Sequence, residues 1–305
     1  MSRVIRHSMV PSLPALLLAA LLALAAWPVF AQGRHYTVTA PDGVAIAVEE
    51  AGDPAGRPIV LVHGLLGSRL NWEAQLRSAD LAGYRLIAYD LRGHGRSGKP
   101  DDAAAYTDGA RWADELAAVI EASGAQAPVL VGWSLGAAVV TEYLARHGDA
   151  GIAGAVYVGG VVELDPSLLQ PHPSLYQGMA DDDLRTHLDA ERAFLALCFA
   201  HPPETVTFER LLAGAALASD RMQAAVPSMT MDAAGGLGRL HKPLLLLHGA
   251  RDALVRPEPS IARARTLKPD AQTMIYADIG HAPFAEAPAR FNQDLVRFVE
   301  ATAPH

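Results

Sequence analysis

The stretch Gly132-Trp133-Ser134-Leu135-Gly136 constrains this 305-residue chain more than any other. It follows the apolar run Pro128-Val129-Leu130-Val131 and precedes the helix-like Ala137-Ala138-Val139-Val140-Thr141-Glu142-Tyr143-Leu144. The order is strand, tight turn with a central serine, helix. A serine hydroxyl is a weak nucleophile until a base takes its proton and donors hold the oxyanion that forms. A sharp strand-to-helix turn serves both needs. It lifts the Ser134 hydroxyl out of the backbone and sets the Leu135 N–H at a helix start, and the glycines permit the crowding. A chain with thirteen serines and twenty-six glycines can produce such a pentapeptide by chance, so its context has to decide.

The chain opens with an address. Arg3, Arg6 and His7 form a basic start, Leu16-Leu17-Leu18 and Leu21-Leu22-Ala23-Leu24 an apolar block, and Val29-Phe30-Ala31 offers small residues at the two positions a signal peptidase reads. This is the pattern of a secretory signal peptide over residues 1–31, with cleavage expected after Ala31 and a periplasmic or secreted destination. The apolar block is short for a bilayer span, so stable membrane insertion after cleavage is not expected; retention as an anchor is the alternative. The formal charge of −8 becomes −10 once Arg3 and Arg6 are removed, and no basic run follows. Nucleic acid is therefore a poor partner. Cys198 is the one cysteine, which excludes an internal disulfide, and its setting in Phe194-Leu195-Ala196-Leu197-Cys198-Phe199 reads as core.

Downstream, two alternating stretches around His35–Thr39 and Val44–Val48 flank Pro41-Asp42-Gly43 and read as a hairpin. Short, wholly apolar runs follow: 59–62, 86–88, 129–131, 155–158, 244–247 and 274–276. Strands buried on both faces look like this, as in a parallel sheet covered by helices. Trp112, Leu116 and Ile120 keep a helical spacing, as do Phe291, Leu295 and Phe298. The alternation predicts an α/β fold: a mostly parallel, doubly wound sheet with an antiparallel start. One interval breaks the rhythm. Residues 162–235 hold helix-like stretches (182–199, 208–217 and 219–226) and no strand-like run. They predict a helical cap inserted into a core of residues 32–161 and 236–305.

Three further places can do chemistry. The run ending in Val62 enters His63-Gly64-Leu65-Leu66-Gly67-Ser68, a loop whose backbone N–H can face the nucleophile. Leu65, with Leu66 as the alternative, pairs with Leu135 as the oxyanion hole. The four-leucine run ends in His248-Gly249-Ala250-Arg251-Asp252, so Asp252 stands just past a strand's C-terminal end, where open α/β sheets carry function. The last run leads into Asp278-Ile279-Gly280-His281, and His281 can serve as general base and then general acid. Each alone has an ordinary reading as a turn former or a surface histidine. Together, Ser134, Asp252 and His281 stand in the order of a serine-hydrolase triad, each in the right slot.

On these residues, together with Asp90-Leu91-Arg92-Gly93-His94-Gly95-Arg96-Ser97, the chain resembles the α/β-hydrolase superfamily over nearly all of residues 34–301. It is most similar to the small serine carboxylesterases and the cofactor-free haloperoxidases and perhydrolases. The resemblance implies that Asp90, His94 and His63 order loops and do no chemistry. A serine at the elbow, where dehalogenases and epoxide hydrolases carry aspartate, excludes those branches.

The expected activity is cleavage of carboxylic esters through an acyl-enzyme at Ser134. Perhydrolysis, C–C bond cleavage and lactone opening with the same triad are the alternatives. No cofactor is expected, and no metal, because His248 and Asp252 alone lack the ligand count of a metal site. The cap region carries four arginines against eleven acids, a field that favours a neutral, rather apolar small-molecule ester over an anionic one. Oligomeric state is not legible in the chain.

Overall fold

The computed structural model describes residues 33–302. The expected signal segment and its cleavage after Ala31 lie outside the described residues. The eight runs read as strands form one eight-stranded sheet: β1 (Arg34–Thr39), β2 (Ala45–Gly52), β3 (Pro58–Val62), β4 (Arg85–Tyr89), β5 (Val129–Trp133), β6 (Gly154–Val158), β7 (Leu244–Gly249) and β8 (Gln272–Tyr276). Their order across the sheet is β1-β2-β4-β3-β5-β6-β7-β8. β1 and β2 pair antiparallel, as do β2 and β4, and every pair from β4 to β8 is parallel. The apolar β5, β6 and β7 are buried at every position, which explains why they lack alternation.

Two helices cover the centre of one face. α1 (Gly109–Ser123) is capped at its start by the Asp108 carboxylate, which accepts from Ala110 N–H, and ended by Gly124 in the left-handed region. Its buried stripe is Trp112, Leu116 and Val119, whereas Ile120 is only partly buried. The true contact line drifts by one residue from the spacing of four, as a 3.6-residue repeat requires. α2 (Leu135–His147) has no exposed face over its first ten residues, because α1 and the helix Ala233–Gly236 pack on it. The closing helix, Pro288–Ala301, buries Phe291, Leu295 and Phe298 as its spacing predicts.

Between β6 and β7 the chain forms helices and turns and, among the described residues, no strand. The longer helices are α3 (Leu184–Leu197), α4 (Thr205–Ala215) and α5 (Asp220–Ala225). Asp183 and Ser219 cap α3 and α5 by accepting from Thr186 and Met222 N–H. The sequence showed no pattern for the short helix Pro173–Gly178, which is too brief to display a periodicity. The boundary drawn after Gly235 falls inside another short helix, Ala233–Gly236. From Thr230 the chain already runs on the core: Thr230 N–H donates to Thr107 O at 2.8 Å, and Asp232 N–H to the Glu142 carboxylate on α2. Among the described residues no helix is long and apolar enough to cross a membrane.

Candidate active site

The strand-to-helix turn adopts a backbone that few residues tolerate. Ser134 has φ 55° and ψ −118°, left-handed and costly for a residue with a side chain. Three hydrogen bonds hold it there. Its N–H donates to Val158 O at 3.0 Å, and its carbonyl accepts from Ala137 N–H at 3.0 Å and Val161 N–H at 3.1 Å. Gly136 is required by close approach, since a Cβ there would lie 2.3 Å from Val62 O on the neighbouring strand. The Ser134 residue is nearly covered, at 8% exposure.

Asp252 and His281 meet directly. His281 Nδ1 lies 2.7 Å from Asp252 Oδ2. The other oxygen, Oδ1, accepts from Leu254 and Val255 N–H, each at 2.9 Å. A carboxylate held by two backbone donors is an acceptor for the third contact, so Nδ1 carries the proton and donates it to Oδ2. Nε2 is then the free lone pair. It is buried and has no hydrogen-bond partner, and no bond joins it to Ser134 Oγ. The two parts of the site converge at the end of β6. Ser134 N–H is bonded to Val158, and a Cβ on the next residue, Gly159, would lie 2.8 Å from His281 Nδ1.

The loop 63–68 folds as a tight turn closed by Gly67 N–H donating to Gly64 O at 3.0 Å. Leu65 and Leu66 are its two central residues, and Leu66 has φ 57°. That is a glycine's conformation, held here by burial of the leucine side chain. His63 anchors the turn from beneath: its Nε2 accepts from Leu91 N–H at 2.9 Å, so its Nδ1–H donates to Gly64 O at 2.8 Å. Asp90 accepts from the backbone N–H groups of Arg69 and Arg96, each at 2.8 Å, and from the Arg69 guanidinium. The His94 ring bonds to Arg92 O and packs edge-on against His63, with centroids 5.0 Å apart. All three therefore organise loops.

Burial holds His63 and His248 down to about 4 and His94 to about 3. All three are neutral in the folded protein at mildly acidic pH, where an unfolded histidine, near 6.5, is charged. The unfolded chain thus binds more protons as pH falls. The stability that neutral burial gives is intact above about pH 6.5 and is lost progressively down to about pH 3 to 4. We expect the melting temperature to fall steeply between pH 6.5 and 4.5, and the slope to flatten in His63→Asn. Equal slopes for the two proteins would refute this account.

Trp133 and Gly159 also pack against His281, and the motif reading gave them no role. Trp133 Nε1–H donates to the His281 carbonyl at 2.8 Å, and the two ring centroids are 5.5 Å apart. In sequence it is indistinguishable from a core aromatic in a buried strand. Gly159 offered a signal, as the first of two glycines ending an apolar run at the sheet's functional edge. Cys198 is buried with its thiol pushed well up by burial, which fits a core role. Among the described residues no group of three or more His, Cys, Asp or Glu side chains is placed to hold a metal ion. A groove of about 710 Å³ lies elsewhere, lined by Lys99, Asp101, Asp182, His187, Asp220 and Arg221 among others, and touches none of the predicted site residues.

Residues 57–288 match the family model for the alpha/beta hydrolase fold. A non-heme haloperoxidase of Rhodococcus erythropolis is 30% identical over 87% of this chain and 99% of its own length. A bifunctional esterase/perhydrolase of Acinetobacter calcoaceticus is 31% identical over 87% of this chain and 99% of its own. Among solved structures, one named "putative aryl esterase", from Burkholderia cenocepacia, superposes with a TM-score of 0.88 at 62% identity, covering 88% of this chain and 99% of that one. An esterase from Rhodococcus sp. ECU1013 gives a TM-score of 0.81 at 32% identity, covering 88% and 99%. The chain belongs to the α/β-hydrolase family, in its small esterase and haloperoxidase branch.

Proposed function

We propose that this protein is a serine hydrolase of neutral, rather apolar carboxylic esters, with Ser134 as nucleophile, His281 as base and Asp252 as its orienting acid. The observation that carries this reading is the His281 ring. Its Nδ1–H is committed to Asp252, and its buried Nε2 is unpartnered at the strand end that also holds the strained Ser134. In the reaction Ser134 Oγ bonds to the ester carbonyl carbon while its proton passes to Nε2. The carbonyl oxygen becomes an oxyanion facing the Leu135 N–H and that of Leu65 (or Leu66). The C–O bond to the alcohol then breaks, and His281 returns the proton to that oxygen. Water repeats the sequence and releases the acid. The aryl esterase and esterase names of the similar structures support the ester class. Hydrogen peroxide in place of water on the same acyl-enzyme would give a peracid, and the relative named esterase/perhydrolase favours that second reading.

The basic start and the Val29-Phe30-Ala31 site support export, with a mature chain beginning at Gln32. One experiment tests both parts: intact mass of the purified protein before and after a fluorophosphonate, followed by turnover of aryl esters of graded acyl length. A mass starting at Gln32, a single adduct at Ser134 and activity lost with labelling are expected. An unlabelled Ser134 with undiminished ester turnover would end the serine-hydrolase reading, and a mass that retains residues 1–31 would end the export reading.

A further inference from the structure

One carboxylate joins the cap to the histidine loop. Glu286 lies in the short helix Pro283–Glu286, five residues beyond His281. Its Oε1 accepts from Gly280 N–H at 2.8 Å, the residue directly before His281. Its Oε2 accepts from His201 N–H at 2.9 Å, in the segment that leaves cap helix α3. Both oxygens are used, one on each side of the boundary between cap and core. A second observation places the same two segments in contact without Glu286. A Cβ on Gly280 would lie 2.5 Å from Ala200 N and 3.0 Å from Phe199 C, so the cap backbone rests on the residue before the base.

His281 is thus gripped at three points: its ring by Asp252, its carbonyl by the Trp133 indole, and the N–H of the preceding Gly280 by Glu286. The first two holds come from the core. The third is shared with the cap, so a displacement of residues 199–201 is transmitted to the backbone of the base. We infer that Glu286 is a positioning residue that ties the cap to His281, so that the base is correctly set only when the cap segment is seated. This rests on His281 being the base. Charged acceptors bond backbone N–H groups more strongly than neutral ones. A glutamine retains one acceptor oxygen and so can satisfy only one side of the link.

The test compares wild type, Glu286→Gln and Glu286→Asp. Each is assayed for turnover of aryl acetate, butyrate and hexanoate and for the rate of fluorophosphonate labelling, both per folded molecule by circular dichroism. A misplacement of the base by about 1 Å costs up to about a hundredfold. We expect Glu286→Gln to lower kcat about tenfold or more, by the same factor for all three acyl lengths, with KM little changed and labelling slowed in parallel; Glu286→Asp, with both oxygens on a shorter arm, should fall between. Wild-type rates per folded molecule in Glu286→Gln, whatever its melting temperature, would show a structural clamp and overturn the inference while leaving the serine-hydrolase reading intact. Losses that differ among the three esters and appear in KM would also overturn it, by assigning Glu286 to the acyl pocket. Failure of wild type itself to label would remove both.

Discussion

Ser134→Ala is expected to lower ester turnover by about four to six orders of magnitude with the melting temperature nearly unchanged, because nucleophile and base act as a unit. His281→Ala should match it. Asp252→Asn is the more informative change. The carboxamide cannot accept on both sides as the carboxylate does with Leu254, Val255 and His281. Turned so that its oxygen keeps the two backbone N–H groups, it presents an NH₂ to Nδ1. The ring then carries its proton on Nε2 and has no lone pair for Ser134, and a loss of about four orders of magnitude follows. His94→Ala, by contrast, removes a bond to Arg92 O and a ring contact to His63 and should act mainly on stability. Near-normal turnover in His281→Ala with turnover lost in His94→Ala would show that the wrong histidine has been assigned.

Gly159→Ala should also be damaging, although the residue has no side chain to lose. Its φ is +49°, a region that L-residues enter at a cost of about 1 kcal/mol. The larger effect is steric. The added Cβ would sit 2.8 Å from His281 Nδ1 and 3.1 Å from Asp252 Oδ2, wedged into the bond that fixes the base. The core around it is rigid, so the Asp252–His281 pair has to part. We expect kcat to fall by about a hundredfold or more, as misplacement of a base by about 1 Å implies, with secondary structure intact by circular dichroism. Turnover within about threefold of wild type would mean that the pair relaxes around a methyl group.

The centre of the sheet was legible because β3 to β7 are buried on both faces, and a run such as Leu244-Leu245-Leu246-Leu247 has few other places to go. β8, whose apolar residues 274–276 read the same way, is instead a largely exposed edge strand with Ile275 in solvent. The covalent order of Ser134, Asp252 and His281 was legible because each stands beside a strand end. What escaped reading was contact across the chain. Trp133 holds His281 from a position 148 residues away, through a bond that no local pattern announces. Glu286 looked like one acid in a helix, because its partners are backbone groups of Gly280 and His201 and leave no trace in composition. The cap boundary drawn after Gly235 runs through a short helix for a related reason. Residues 230–239 are held by contacts to α1 and α2, not by a change in their own character.

The strand order has a further consequence. The proposed nucleophile follows β5 in the middle of the sheet, while the proposed base follows β8, the final strand, which pairs only with β7 at the edge. A nascent chain can therefore assemble β1 to β6 and the elbow long before it owns a proton acceptor. Until residue 281 has been made and β8 has docked, Ser134 is an ordinary alcohol. Synthesis interrupted before His281 yields a fragment with no proposed base and no ester turnover, so activity requires the chain at least through β8 and His281.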